Sequence, residues 1–264
     1  MNTQDISIDR KGPVASIIIC RPSAKNVLTP QVLSAMSQAI QALSREDTAR
    51  VLIIRGQGEH MFSAGYDISR LSEDASSGTT DSPAVSPLEE TLQRLTAFPY
   101  PTIAMLNGDA YGGGCELAIS CDLRIAGDHI KMGMPPVRLG LVYPYPGFRR
   151  FMNVLGFATT LEVFLTGRTY DSRACLHKGL VNEVVEAGQL ETFTRDLAES
   201  MAAHAPLAMK GTKQALYTLA RAPVLPPEKE AQLQALFTQS LKSRDLEEAR
   251  QAFREKRKPR FTGR

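Results

Sequence analysis

The stretch that most restricts the fold lies in the middle of the chain. An apolar run, Thr102-Ile103-Ala104-Met105-Leu106, leads into Asn107-Gly108-Asp109-Ala110-Tyr111, then three consecutive glycines, Gly112-Gly113-Gly114, and then Cys115-Glu116-Leu117-Ala118. The first run predicts a strand, and residues 115–120 predict a helix with a carboxylate in its first turn. Glycines between a strand and a helix let the backbone approach a ligand closely. They also leave N–H groups at the positive end of the helix dipole. Such a turn can hold a phosphate, or an oxyanion that develops during a reaction. No Gly-Lys-Ser/Thr follows the glycines and the Gly-x-Gly-x-x-Gly spacing is absent, which excludes a Walker loop and a dinucleotide fingerprint. Glu116, just beyond the glycines, points to acid–base work beside a stabilised oxyanion.

The chain before this turn sets out the same plan. Residues 14–20 are a β-rich run, Thr29 reads as an N-cap with Pro30 at the first helical position, and Val32, Leu33, Met36, Ile40 and Leu43 fall at helical spacing. An apolar strand follows at 51–55. Strand, helix and strand in that order predict a crossover connection and parallel pairing. Residues 61–68 read as a short strand breaking at Gly65, and 72–85, rich in Ser, Thr, Gly and Asp, as a mobile loop. Ser86-Pro87-Leu88-Glu89 is a capping-box signature opening a helix that Phe98-Pro99-Tyr100-Pro101 stops. A second strand–helix–strand unit therefore repeats the first, with the glycines at its turn, and 122–126 reads as the next strand.

Residues 133–147 hold four prolines and three glycines and read as a rigid, ordered loop. Beyond it helices are predicted at 148–155, 158–165, 172–178, 189–204, 207–220, 229–240 and 245–256, with one clear strand at 179–185. The expectation is an α/β fold: a ββα core over residues 1–200, carrying the site, and a helical lid or assembly region over 201–264.

Composition removes several classes of function. A net charge of +3 over 264 residues, much of it gathered in 254–264, gives no reason to expect nucleic acid. Four cysteines, Cys20, Cys115, Cys121 and Cys175, show no metal-ligand spacing and predict reduced thiols in a cytoplasmic protein. Cys115 reads as buried and inert. The four histidines are scattered, so no metal site is expected. Residues 1–10 are polar with two acids and do not read as a signal peptide, and the apolar runs are of strand length, too short for a membrane span.

Gly112-Gly113-Gly114-Cys115-Glu116-Leu117-Ala118 followed by Cys121-Asp122 resembles the crotonase (enoyl-CoA hydratase/isomerase) superfamily. Phe62-Ser63-Ala64-Gly65-Tyr66-Asp67-Ile68, Leu165-Thr166-Gly167, Gly179-Leu180-Val181 and the tail from Ala252 to Phe261 match in the same order, so the resemblance covers nearly the whole chain. It implies a crotonase-like (ClpP/crotonase) ββα superhelix with a C-terminal helical region, assembled as a homotrimer or a dimer of trimers, acting on an acyl-CoA thioester. Coenzyme A is then part of the substrate and no separate cofactor is implied. The backbone N–H groups of Tyr66 and Gly113 match the family's oxyanion hole. Ala24, Lys25, Val27, Ala64, Asp67, Ile68 and Lys256 match positions along the coenzyme A arm.

One departure stands out. Enoyl-CoA hydratases hold water between two glutamates; Glu116 matches the first, and Pro136 stands where the second belongs. Proline can neither give nor take a proton. Pro135-Pro136-Val137-Arg138-Leu139-Gly140-Leu141-Val142-Tyr143 looks most like the branch that decarboxylates methylmalonyl-CoA, which lacks the second glutamate and keeps a tyrosine matching Tyr143. That branch has histidine where this chain has Tyr66. The resemblance thus implies Glu116, Tyr143, Tyr66 and Gly113 as catalytic positions and decarboxylation of a malonyl-type thioester as the reaction. The alternative is an enoyl-CoA hydratase or isomerase with a different second catalytic group. Some members of the superfamily bind RNA through a lysine-rich helix; the helix predicted at 30–44 has no lysine.

Overall fold

The computed structural model describes residues 5–66, 86–221, 228, 231, 232, 235 and 242–264. Strands β1 (Ile6–Lys11) and β2 (Val14–Ile19) form a hairpin, and α1 (Pro30–Glu46) carries the chain across to β3 (Val51–Gly56), which pairs parallel with β2. The start of α1 is as expected: Pro30 opens it, and the Thr29 hydroxyl accepts from the Val32 N–H at 3.3 Å. Its residues Val32, Leu33, Met36, Ile40 and Leu43 are all buried.

From β3 onward the strands alternate between two sheets. β4 (Met61–Ser63) leaves the first sheet, and α2 (Pro87–Thr96) lies beyond it; β5 (Thr102–Leu106) returns to the first sheet and β6 (Asp109–Tyr111) joins β4, followed at once by α3 (Gly113–Ile119). β7 (Leu123–Gly127) and β8 (Lys131–Gly133) repeat the step. One sheet runs β1-β2-β3-β5-β7 and ends on β10 (Glu183–Val185); the other runs β4-β6-β8 and ends on β9 (Thr169–Asp171). Two strands and a helix per turn is the ββα repeat.

The central strands β3 and β5 are buried on both faces, as their near-continuous apolar runs require. One face meets α1, α2 and α3. The other presents Val14, Val51, Ile53, Ile103, Met105 and Ile125 to Leu190, Ala198 and Ala202 of α6 (Leu190–Ala202). The strands β6, β8 and β9 escape the sequence reading. Each has three residues and includes Asp109, Lys131 or Thr169. So short a segment has no periodicity to detect, and only pairing with its neighbours makes it a strand.

The loop expected at 133–147 is ordered but shorter. Pro136–Leu139 form a 3-10 turn, and α4 (Tyr145–Thr166) starts before its end, broken by a non-helical Gly156 between the two predicted helices. α5 (Ser172–His177) follows β9. In the last third, α7 (Pro206–Arg221) and α8 (Arg244–Glu255) match predicted helices, whereas most of the helix predicted at 229–240 and the loop at 72–85 lie outside the described residues. α7 is tied to the core through Asp122, which accepts from Lys213 Nζ at 2.6 Å, the Tyr217 hydroxyl at 2.8 Å and the Thr102 N–H at 2.7 Å. Among the described residues, no helix is long and apolar enough to cross a membrane, and no group of three or more His, Cys, Asp or Glu could hold a metal ion.

Candidate active site

The glycine turn and the loop ending at Tyr66 face each other. A Cβ built on Gly113 lies 3.1 Å from the Tyr66 nitrogen, and one built on Gly65 lies 2.9 Å from the Gly113 nitrogen. Gly65 has φ of +95°, and its added Cβ is also 2.5 Å from the Tyr111 carbonyl, so no other residue fits there. As the first residue of α3, Gly113 has no intrahelical acceptor for its N–H. Two loops some fifty positions apart in sequence thus bring the backbone at Tyr66 close to the backbone at Gly113.

The loop carrying Tyr66 is braced from behind. Asn26, fully buried, donates to the Met61 carbonyl at 2.7 Å and the Gln57 carbonyl at 3.0 Å and accepts from the Arg21 N–H at 3.0 Å. Ser63 donates to the Asn26 carbonyl at 2.8 Å and accepts from the Gly65 N–H at 3.1 Å. The Ala64 N–H meets the Lys25 carbonyl at 3.0 Å, and Leu28 bridges to Tyr66. Of the residues assigned to the coenzyme A arm, Ala24, Lys25, Val27 and Ala64 therefore share one hydrogen-bonded corner. Lys256, in a left-handed turn after α8, shares no hydrogen bond with any of them, and Asp67 and Ile68 lie outside the described residues.

Glu116 is 3% exposed, and both its carboxylate oxygens are engaged. The Tyr143 hydroxyl donates to Oε2 at 2.6 Å and Arg150 Nη1 donates to Oε1 at 2.9 Å. Arg150 also grips Glu89 on α2, with Nη1 to Oε2 at 2.8 Å and Nη2 to Oε1 at 2.7 Å. Close approach is possible because residue 147 is glycine: a Cβ there would sit 2.5 Å from the Tyr143 ring and 2.9 Å from Glu116 Oε1. The Tyr143 ring packs against Phe148 and Phe164, with centroids 6.3 and 5.5 Å away, which fixes the hydroxyl.

Burial is the largest influence on the Glu116 carboxyl and pushes it above the ordinary carboxylate range, while Tyr143 and Arg150 pull it back. Burial and the adjacent carboxylate raise the Tyr143 hydroxyl well above its usual value, so it stays protonated. Cys115 is buried with its thiol raised, so it is not nucleophilic.

The sequence reading singled out Glu116 and Tyr143, which the structure joins by a hydrogen bond, and did not single out Arg150 and Glu89, which meet the same carboxylate cluster. Glu89 looked like the second half of a capping box. The Ser86 hydroxyl does accept from the Glu89 N–H at 3.2 Å, but the Glu89 carboxylate turns to Arg150 and Gln93 instead of back to residue 86. Arg150 carried no signal beyond lying one turn after Gly147. Pro136 is buried in the 3-10 turn, so no carboxylate occupies that position.

Comparisons with known proteins place the whole chain among its relatives. The family model described as enoyl-CoA hydratase/isomerase matches residues 9–264. The short-chain-enoyl-CoA hydratase of Clostridium acetobutylicum is 32% identical over 98% of this chain and 97% of its own length. The methylmalonyl-CoA decarboxylase of Escherichia coli is 30% identical over the full length of both chains. Among solved structures, an enoyl-CoA hydratase/carnithine racemase from Magnetospirillum magneticum superposes with a TM-score of 0.92 at 30% identity, covering 100% of this chain and 97% of that one.

Proposed function

The chain belongs to the enoyl-CoA hydratase/isomerase family, with the crotonase fold, and within that family we propose that it decarboxylates a malonyl-type acyl-CoA such as methylmalonyl-CoA. The observation that carries this reading is the pairing of Tyr143 with a fully engaged Glu116, in a chain that has a buried proline, Pro136, at the position that matches the second glutamate of hydratases. Hydration by two free carboxylates needs one to take a proton from water while the other gives one. Here Glu116 has both oxygens occupied, and Glu89 is held by both terminal nitrogens of Arg150.

Decarboxylation asks for less. The thioester oxygen accepts from the Tyr66 and Gly113 N–H groups. The bond from Cα to the carboxylate carbon breaks, its electron pair passes to Cα and the thioester oxygen as an enolate, and CO2 leaves. A proton added to Cα completes the acyl-CoA product. A tyrosine hydroxyl has one proton to donate, and in the structure it points to Glu116. When Glu116 is protonated, its own O–H can donate a hydrogen bond to the Tyr143 oxygen and free the Tyr143 hydroxyl to hold the substrate carboxylate. The raised position of the Glu116 carboxyl favours this arrangement.

The second reading is hydration or isomerisation of an enoyl-CoA, favoured by the printed name of the Clostridium acetobutylicum relative. Incubation with methylmalonyl-CoA and with crotonyl-CoA separates the two. Release of CO2 from the first supports decarboxylation; conversion of the second to 3-hydroxyacyl-CoA, with no CO2 from the first, refutes it. The same proposal includes a homotrimer or dimer of trimers, supported by exposed apolar side chains Phe157 and Leu165 on α4 and Leu176 on α5. Sedimentation equilibrium tests it, and a monomer at micromolar concentration refutes it. A cytoplasmic setting, the acyl-CoA corner at Ala24, Lys25, Val27 and Ala64, and the division at residue 200 belong to this proposal as well.

A further inference from the structure

We infer that Arg150, braced by Glu89, is a positioning residue for Glu116: it orients the buried carboxylate toward Tyr143 and supplies the opposite charge that lets it ionise there. The geometry carries this. Arg150 meets Glu89 with two nearly parallel N–H···O bonds of 2.8 and 2.7 Å, and the shared Nη1 then reaches Glu116 at 2.9 Å. A fork fixed at one carboxylate has no freedom left at the other. The arginine side chain is 17% exposed and that of Glu116 4%, so the pair is little screened by water.

Three elements converge on the group that titrates. Glu116 comes from α3, Arg150 from α4 and Glu89 from α2, with the Tyr143 hydroxyl entering from the segment before α4. Among the described residues, these are the titratable and charged side chains that face the Glu116 carboxylate, together with the neighbouring Cys115 thiol, which stays protonated. Burial by itself favours the neutral form of Glu116. Glu89 acts in the same direction, and Arg150 opposes both. The arginine thereby brings Glu116 back toward a range where it can pass between the ionised form, which accepts from Tyr143, and the protonated form, which can donate to it.

Glu89 has the complementary task. Without an anchor, an arginine between one carboxylate and solvent can swing away, because its long side chain has many rotamers to regain. With Glu89 in place the guanidinium plane is set from α2, so the orientation of Glu116 depends on how α2 packs.

This inference rests on Glu116 belonging to the active site, and its test works with or without a known reaction. The protonation of Glu116 is followed by difference infrared spectroscopy of the carboxyl band, assigned with Glu116→Gln, in the wild-type chain, Arg150→Met and Arg150→Lys. Removing an opposite charge at this distance raises a carboxyl by roughly one to three pH units. Arg150→Met is expected to move the Glu116 midpoint upward by that amount, and an unmoved midpoint overturns the proposal. Arg150→Lys keeps the charge and loses the fork. Its midpoint is expected within about one unit of wild type, with turnover of methylmalonyl-CoA reduced roughly 10–100-fold and KM within about twofold. Full turnover in Arg150→Lys refutes the positioning role. If the wild-type chain releases no CO2, the decarboxylase reading fails, and the infrared titration still decides the role of Arg150.

Discussion

Replacing Tyr143 by Phe removes one oxygen from the centre of the site and leaves the ring packing on Phe148 and Phe164 in place. The lost bond is the 2.6 Å contact to Glu116 Oε2. A hydrogen bond to an ionised group contributes roughly 1.5–3 kcal/mol, equivalent to about one to two pKa units at 1.36 kcal/mol each. Glu116 already titrates above the ordinary carboxylate range because it is buried, and Tyr143 is the first of the influences that lower it. In Tyr143→Phe its midpoint therefore rises further. The sign of the linkage follows: a carboxyl raised in the folded state binds more protons there than in the unfolded chain, so its contribution to stability is largest in acid. That contribution is lost as pH rises through the folded midpoint. The penalty for Tyr143→Phe is thus largest, about 1.5–3 kcal/mol, at pH values above the variant's own Glu116 midpoint. It shrinks to about 1 kcal/mol below the unfolded carboxyl value of about 4.3, where only a bond between neutral groups is lost. Urea unfolding of both proteins at each pH, at one fixed protomer concentration, measures the difference. On methylmalonyl-CoA the variant is expected to lose roughly 100-fold or more in kcat. A variant with wild-type turnover and a pH-independent stability difference would show that the hydroxyl neither bonds Glu116 nor meets substrate.

Three further outcomes follow from other contacts. In Gly113→Ala the new Cβ lies 3.1 Å from the Tyr66 nitrogen and 3.2 Å from Leu88 Cδ2, inside the space the thioester oxygen needs; kcat/KM should fall roughly 100–1,000-fold, and a change under about threefold would remove Gly113 from the hole. Asp122→Ala leaves Lys213, 10% exposed in its side chain, without its carboxylate, and should cost about 3 kcal/mol in urea unfolding; a loss below about 1 kcal/mol would show that α7 is not held through this pair. Pro136→Glu restores a carboxylate where hydratases carry their second one, and should raise crotonyl-CoA hydration at least about tenfold over the parent chain. No gain in a folded variant places that position away from the reacting carbons.

The sequence by itself determined the repeated strand–helix–strand plan, the start of α1 at Thr29 and Pro30, and the glycine turn. These were legible because their causes are local: side-chain periodicity, a capping hydroxyl, proline at a first turn, glycine where a Cβ cannot fit. The strands β6, β8 and β9 were not legible, since three residues have no period and gain their hydrogen bonds only from partners supplied by the fold. Arg150 and Glu89 stayed hidden for a related reason. An arginine and a glutamate sixty-one positions apart look like two solvated surface charges until α2 and α4 bring them together. Only the tertiary structure decided that Glu116 is a carboxylate held from two sides, because the energy of a buried charge depends on which opposite charge is packed against it.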